Sequence, residues 1–535
     1  MKKLHKLVAV IMTSMLTIGT TSPIYAATTK SSQPFDDISS SFARQNIIDL
    51  AKEGIIDGTG DRKFEPKKNV TRAEFITMTS RLLKLQPVDS DIVTFSDVPR
   101  SAWYYGWVQA GIHLGIVEGK GMNQFQPDTR ITRQEAAVLI VRALKEERDS
   151  SANVELPYQD RMKVADWAVS SVQVALKLGL MRGDQGSFRP NDYVTREETA
   201  AILDRVFKDS YWSKVLNTTP ASNIQLGWQN ASTTAQYIAT IKQSTINTLV
   251  PRWFFFDNNN DKPLANYVDS SLLTYAKQNN KKIWAMLGNR SNAEWTHTAL
   301  TDLVRRDNII KQLTAYVKSY GLAGINVDFE NVSPQDRLPL TSFVTELTKS
   351  LHTVGGVVSI DVSPDLGTDW TDAFDYAALG KAADYVVLMG YDEHWDGDPI
   401  AGSVSSLPWV ERATNKLLTS VSASKTILAL PLYTRDWTIR TSGATSEELS
   451  LVKQGQRLRS VWSSKSWDSN LAQYVATYTQ NGLQHRIWME EGRSISSKYL
   501  MAAEHGIAGF AYWYIGAETA DIWTSIRNVN RYSSY

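Results

Sequence analysis

Eight apolar runs, each of strand length and each followed by a segment of helical character, occupy about the last 312 residues: IQLGW, TLVPRWFFF, KIWAML, GINVDF, VVSIDV, YVVLMGY, ILALPLY and GIAGFAYW. Strands alternating with helices imply parallel strands joined by crossovers, and strands this apolar are buried on both faces. Eight such units predict a (β/α)8 TIM barrel over residues 224–535, an α/β fold whose functional groups gather at the C-terminal strand ends. Between Tyr433 and Gly506 the connection exceeds one helix. The stretch ATYTQNGLQHRIW has the Asn-Gly centre of a hairpin, so a small α+β insertion is expected at 434–505, walling one side of the cleft.

One of these strands is chemically unlike the rest. In GINVDFEN, Ile325, Val327 and Phe329 form one row of the period-two pattern, and Asn326, Asp328 and Glu330 form the other. The apolar row is expected to pack outward on the helices and the polar row to rise toward the barrel mouth. Alpha carbons two apart on a strand lie only about 6.5 Å from each other. Two carboxylates that close repel, which favours an acid beside an ionised neighbour. Polar residues also cluster at other strand ends: Tyr391 and Asp392, Tyr433 and Arg435, and Trp513.

The charge is nearly balanced, 57 basic against 56 acidic residues, so bulk electrostatics ask for neither nucleic acid nor an anionic membrane. The start, MKKLHKLVAVIMTSMLTIGTTSPIYAA, has the basic, apolar and small-residue order of a secretory signal peptide at 1–26. Its apolar run is shorter than the ~20 residues of a membrane span. There are no cysteines, which excludes disulfides, lipid-modified cysteine and cysteine metal sites. An exported protein held at a surface by noncovalent contacts is the expectation.

The N-terminal region repeats three times. Phe64-Glu65-Pro66 precedes Thr71-Arg72-Ala73-Glu74, Phe125-Gln126-Pro127 precedes Thr132-Arg133-Gln134-Glu135, and Phe188-Arg189-Pro190 precedes Thr195-Arg196-Glu197-Glu198. The threonines stand 61 and 63 residues apart, a tandem period. Each Thr-x-x-Glu opens an apolar helical run as a capping box. The arginine is not needed for capping, and at a helix start it opposes the dipole, so Arg72, Arg133 and Arg196 look placed for an anion. With Phe35-Asp36-Asp37, Phe95-Ser96-Asp97 and Tyr158-Gln159-Asp160 upstream, the pattern resembles the S-layer homology domain in triplicate, at 33–85, 93–147 and 156–208, followed by a linker at 209–223. The resemblance implies a mainly α-helical module that binds pyruvylated secondary cell-wall polysaccharide. Arg72, Arg133 and Arg196 would meet the pyruvate carboxylate, and Asp37, Asp97 and Asp160 would belong to the same sites. Trp103 and Trp167 are open to two readings, stacking on sugar or packing in the core, and Phe42 in the first repeat leans toward the core.

GINVDFE, with LMGYD at 388–392, LPLY at 430–433 and GIAGFAYWYIGAE at 506–518, resembles glycoside hydrolase family 18, the chitinase and N-acetylglucosaminidase family. The resemblance implies substrate-assisted retaining hydrolysis, in which the sugar's 2-acetamido oxygen is the nucleophile. Glu330 would be the general acid, Asp328 would hold the acetamide N–H, Tyr391 its oxygen, and Trp513 would floor the sugar; Asn326, Asp392, Tyr433 and Arg435 complete the expected substrate site. The first two aspartates of the Asp-x-x-Asp-x-Asp-x-Glu signature are here Ala323 and Asn326. Asn326 can hydrogen-bond but cannot take a proton from Asp328, which puts the tuning of that carboxyl in question. The crowded loop carrying Asp392, Glu393, His394, Asp396 and Asp398 reads as a solvated or sugar-binding rim, and neither metal nor cofactor is expected. The expected activity is cleavage after N-acetylglucosamine in peptidoglycan, in a secreted protein associated with the cell wall or S-layer. The alternatives are a chitinase, a non-catalytic carbohydrate-binding barrel, and a purely structural surface-array protein.

Overall fold

A computed structural model describes residues 33–121, 123–146, 156–220, 222–259 and 262–535. The expected signal peptide at 1–26 lies outside the described residues.

Each Thr-x-x-Glu motif starts a helix: Arg72–Leu82, Arg133–Ala143 and Arg196–Lys208. In all three the threonine side chain accepts the glutamate backbone N–H, and the glutamate side chain accepts the threonine N–H. The repeats close in a ring through short backbone bridges, Thr71 to Arg130, Thr132 to Tyr193 and Asn69 to Thr195. The recurrent arginines follow that ring. Arg72 Nε donates to Phe125 O at 3.0 Å, Arg133 Nε to Phe188 O at 2.9 Å, and Arg196 Nε to Phe64 O at 2.7 Å. Each side chain leaves its own helix and satisfies carbonyls in the next repeat, the third reaching back to the first.

Residues 209–223 are not a plain linker. Asp209 caps the helix Ser210–Asn217, whose Trp212 and Leu216 are buried.

The eight barrel strands are Ile224–Gln229, Thr248–Val250, Lys282–Gly288, Gly324–Asp328, Val357–Val362, Tyr385–Met389, Thr426–Pro431 and Gly509–Ile515. Neighbours are parallel throughout, the first strand pairs with the eighth, and pairing of the second with the third (Leu249 beside Ile283) completes closure. The second run is interrupted at Pro251, which has no N–H for a ladder; its second half, Phe254–Phe256, forms a hairpin with Leu264–Asn266. Leu226, Val250, Trp284, Val387 and Ile427 fill the barrel, while Ile325, Val327 and Phe329 pack outward among helix residues.

Between the seventh and eighth strands, a five-stranded antiparallel sheet spans Tyr433–Arg440, Gly443–Ser450, Ser463–Asp468, Gln473–Gln480 and Leu483–Met489. Its last hairpin turns at Asn481-Gly482 with φ of 52° and 75°, the left-handed pair that a type I′ turn needs.

The second repeat docks on the barrel. Helix Tyr105–His113 packs against Gly492–Ala503 and Ala520–Ser533. Asn528 clasps the Gln86 backbone, donating Nδ2 to its carbonyl at 2.7 Å and accepting its N–H at 2.8 Å. His113 Nδ1 lies 3.0 Å from Ser525 Oγ, and Tyr474 of the inserted sheet donates to Thr94 at 3.0 Å. A Cβ on Gly492 would meet Ser525 Oγ at 2.5 Å and His113 Cε1 at 2.7 Å, so a side chain there would hold the two surfaces apart.

Candidate active site

The acidic row of the fourth strand ends in a cavity of about 1040 Å³ at the C-terminal face of the barrel. Asp328, Glu330, Tyr391, Asp392 and Trp513 all line it. Trp228 meets Trp513 edge to face at 5.9 Å between ring centres, and Trp370 meets Trp395 at 4.7 Å. Such a wall of indole rings suits the apolar faces of sugar rings.

Strand register places the carboxylates. Asn326 lies beside Ser359 and Val327 beside Ile360, so Asp328 and Asp361 come next on adjacent strands. Asp328 is buried, and burial first, then the charge of Glu330, lifts its carboxyl to about 7. Asp361 is buried too; burial and then Asp328 push it well above the usual carboxylate range. Between these two groups only one full negative charge is easily held at neutral pH. Asn326 lies beneath them. It accepts from Trp228 Nε1 at 3.0 Å and donates Nδ2 to Ser359 Oγ at 3.0 Å and to Asp361 Oδ1 at 2.7 Å. Asn326 is fully buried and fully engaged, so it positions neighbours and does not itself reach substrate, contrary to the sequence expectation.

Glu330 stands exposed at the cavity mouth. Its backbone is clasped by the buried Asn289, whose Oδ1 accepts Glu330 N–H at 3.1 Å and whose Nδ2 donates to Glu330 O at 2.6 Å. Ser291 Oγ donates to Glu330 Oε2. Arg290, Ser291 and Asn331 around this contact all have left-handed backbones, φ 57°, 51° and 52°, conformations that non-glycine residues hold only when their surroundings enforce them.

Tyr391 and Tyr433 are buried edge to face, and Tyr433 donates to Asp392 Oδ1 at 2.5 Å. Burial raises Asp392, and the Tyr433 hydrogen bond opposes the rise. Arg435 lies outside the cavity lining: it is buried, donating to Ser446 at 2.9 Å and facing Asp396 at 3.3 Å. The inserted sheet likewise lends no lining residue to this cavity. It braces the loop after the sixth strand through Tyr433 and Arg435, and turns its other end to the N-terminal repeats. In that loop Glu393 is spent on Ser406 and His394 pairs with Asp398 at 2.8 Å. No group of three or more potential ligands converges among the described residues.

Four residues of the site escaped the sequence reading: Asp361, Asn289, Ser291 and Trp228. Asp361 was the most findable, since VVSIDV puts an aspartate at the end of the strand next to Asp328.

In the N-terminal ring the structure departs from the expectation. Asp37, Asp97 and Asp160 each spend both carboxylate oxygens on two backbone N–H groups, as in Asp97 to Phe125 and Gln126 at 2.8 and 2.7 Å, which makes them loop braces. Arg72, Arg133 and Arg196 are buried and bonded to carbonyls, so none is a freely presented charge. Phe42 is no core residue: it is 65% exposed, matching Trp103 at 62% and Trp167 at 59%. Phe42 borders a groove of about 300 Å³ lined by Arg133, Arg182, Arg189 and Arg205 against Asp184 and Glu198, an excess of basic groups.

The model of glycosyl hydrolases family 18 matches residues 228–518, more than half of the sequence. The chain belongs to this family. The S-layer homology domain matches three times, at 34–76, 94–137 and 157–200. Among its relatives, the uncharacterized glycosylase YvbX of Bacillus subtilis (strain 168) is 28% identical over 325 residues, 57% of this chain and 91% of that protein. The cortical fragment-lytic enzyme of the same organism is 28% identical over 234 residues, and the chain spans only 53% of its length. The fold is shared with the Bacillus cereus spore cortex-lytic enzyme SleL (TM-score 0.53, 23% identity, 58% of this chain and 75% of that one). It is also shared with a chitinase from Chromobacterium violaceum (TM-score 0.52, 20% identity, 58% and 99%). The protein is a family 18 glycosidase with three S-layer homology repeats ahead of its barrel.

Proposed function

We propose that this protein cleaves the bond after N-acetylglucosamine in peptidoglycan, by substrate-assisted retaining catalysis, while its N-terminal repeats hold it to a pyruvylated wall polysaccharide. The observation that carries the catalytic reading is the pairing of an exposed Glu330, steadied by Ser291 and Asn289, with a buried Asp328 whose carboxyl is lifted to about 7. Glu330 protonates the leaving glycosidic oxygen and later activates water. Asp328 accepts from the acetamide N–H and, in its ionised form, faces the oxazolinium cation, while Asp361 on the neighbouring strand keeps the proton of the pair. Asp361 thus supplies, from the neighbouring strand, the proton-sharing carboxylate that Asn326 cannot be. Tyr391 steadies the acetamide oxygen and Trp513 floors the sugar. A general acid has no use in a barrel that only binds, and a surface-array protein has no use for either group.

Peptidoglycan is favoured over chitin because a wall-tethered enzyme meets its own wall at high effective concentration, and because a relative aligning with the barrel is named for lysis of cortical fragments. The exposed aromatics Phe42, Trp103 and Trp167 fit the stacking of wall sugar, and the cationic groove beside Phe42 fits an acidic one. The test is product analysis. Muropeptides released from purified peptidoglycan and reduced with borohydride carry reduced N-acetylglucosamine at the new end; reduced N-acetylmuramic acid identifies a muramidase, and much faster cleavage of chitin oligomers identifies a chitinase.

A further inference from the structure

A second cavity, of about 640 Å³, opens on the other side of the Glu330–Ser291 contact. It is formed by the loops after the first, second and third barrel strands and, apart from Ser291, takes no part in the mechanism above. Its size suits one sugar unit with a substituent. Phe255 forms an aromatic surface within it, and two guanidinium groups stand over that ring, Arg252 at 5.6 Å and Arg290 at 4.7 Å from its centre. Arg252 donates to Asn230 Oδ1 at 2.6 Å; Arg290 donates to Tyr267 OH at 3.2 Å and to Phe256 O at 3.3 Å. These are neutral acceptors that orient the side chains and leave N–H groups of both arginines free. Among the described residues neither arginine pairs with a carboxylate. The one acidic side chain in the lining among the described residues, Asp269, caps the helix Ser270–Gln278 and is bonded to Ser271 and Thr234. Arg252 is also near enough to the catalytic strand for its charge to oppose the rise of Asp328.

We propose that Arg252 and Arg290 form an anion subsite that binds the carboxylate of a muramoyl unit adjoining the N-acetylglucosamine in the catalytic subsite. This rests on the peptidoglycan reading. In that polymer the two sugars alternate, so both neighbours of a bound N-acetylglucosamine are muramoyl units, whichever way the strand runs. In chitin both neighbours are neutral. A planar guanidinium pair beside an aromatic face suits a carboxylate on a sugar, and a neutral acetamido sugar gives it nothing equivalent. The carboxylate comes from either of two sources: the lactyl group itself where the stem peptide has been removed, or the stem peptide where it remains.

The experiment uses the full chain, native and with Arg252→Ala and Arg290→Ala combined. kcat/KM is measured on peptide-free wall glycan, the same glycan methyl-esterified at the lactyl group, stem-bearing glycan, and chitooligosaccharide of equal length. The expected result is a fall of about 10-fold or more in the ratio of wall glycan to chitooligosaccharide, carried by KM. Any effect of Arg252 on Asp328 enters both members of the ratio and cancels. If the lactyl carboxylate is the ligand, the native ratio falls on esterification and the variant's does not; if the stem supplies it, the loss occurs only on stem-bearing glycan. An unchanged ratio on both glycans overturns the subsite while leaving peptidoglycan as substrate. A native enzyme that cleaves chitooligosaccharide but neither wall glycan overturns the peptidoglycan reading and the subsite with it.

Discussion

Replacing Asp328 with asparagine is expected to stabilise the barrel while abolishing turnover. The carboxyl is buried and its pKa stands at about 7 instead of 3.8, chiefly through burial and then through the charge of Glu330. At acid pH it is neutral folded and unfolded, and its titration contributes nothing. As pH rises past about 4 the unfolded chain releases the proton and the folded one does not, so stability drains away until the folded carboxyl ionises near 7. The rise from 3.8 to about 7 corresponds to a ceiling of about 4 kcal/mol. An asparagine has no proton to lose, so the variant keeps what the native protein forfeits: about 1 kcal/mol near pH 4.5 and about 4 kcal/mol near pH 7.5. Loss of the Asp328 charge also relieves Asp361, which adds in the same direction. The assay is calorimetric melting of the full chain across that pH range. Even half the ceiling raises the barrel transition by roughly 3 °C. A gain that is absent near pH 7.5, or equal at both pH values, refutes the view that burial holds this carboxyl neutral.

Glu330→Gln should lower turnover by about 10²-fold or more with glycan binding retained, checked by kinetics and by binding of unhydrolysed oligosaccharide; undiminished turnover removes Glu330 from the general-acid role. Replacing Phe42, Trp103 and Trp167 together with alanine should weaken pull-down by purified walls and leave the melting of the repeats nearly unchanged, because all three side chains are already in solvent. Arg133→Ala should lower the melting temperature of the repeats, since it strips partners from the carbonyls of Phe188 and Arg182. Gly492→Val should split a shared melting transition into separate ones for repeats and barrel, through its clash with His113 and Ser525; a single unshifted transition would show that the docking surface yields.

The barrel was legible because its strands are apolar on both faces and its acidic strand breaks that rule on one row only. The helix starts of the repeats were legible because a capping box is a local device, complete within four residues. What the repeats do with their arginines was not, because Arg72, Arg133 and Arg196 find their partners about 50 residues ahead or, for the third, more than 100 behind. The same limit hid Asp361 and Asn289, whose meaning comes from the neighbouring strand across a parallel ladder. Residues 209–223 looked like a connector because their composition is polar, but two buried side chains, Trp212 and Leu216, suffice to seat a helix there.

The seat of helix Tyr105–His113 on the barrel, with the Asn528 clasp beside it, bears on how far the enzyme can reach. A hydrolase on a slack cord sweeps a sphere and clears whatever falls inside it. Here the grip and the blade belong to one handle, and the cleft looks out at a fixed height and angle from the point of attachment. Under wall anchoring, such a tool cuts only strands that come to it, so where it bites is decided by where it lands, and its supply of fresh substrate depends on growth or turnover moving the wall past a stationary edge.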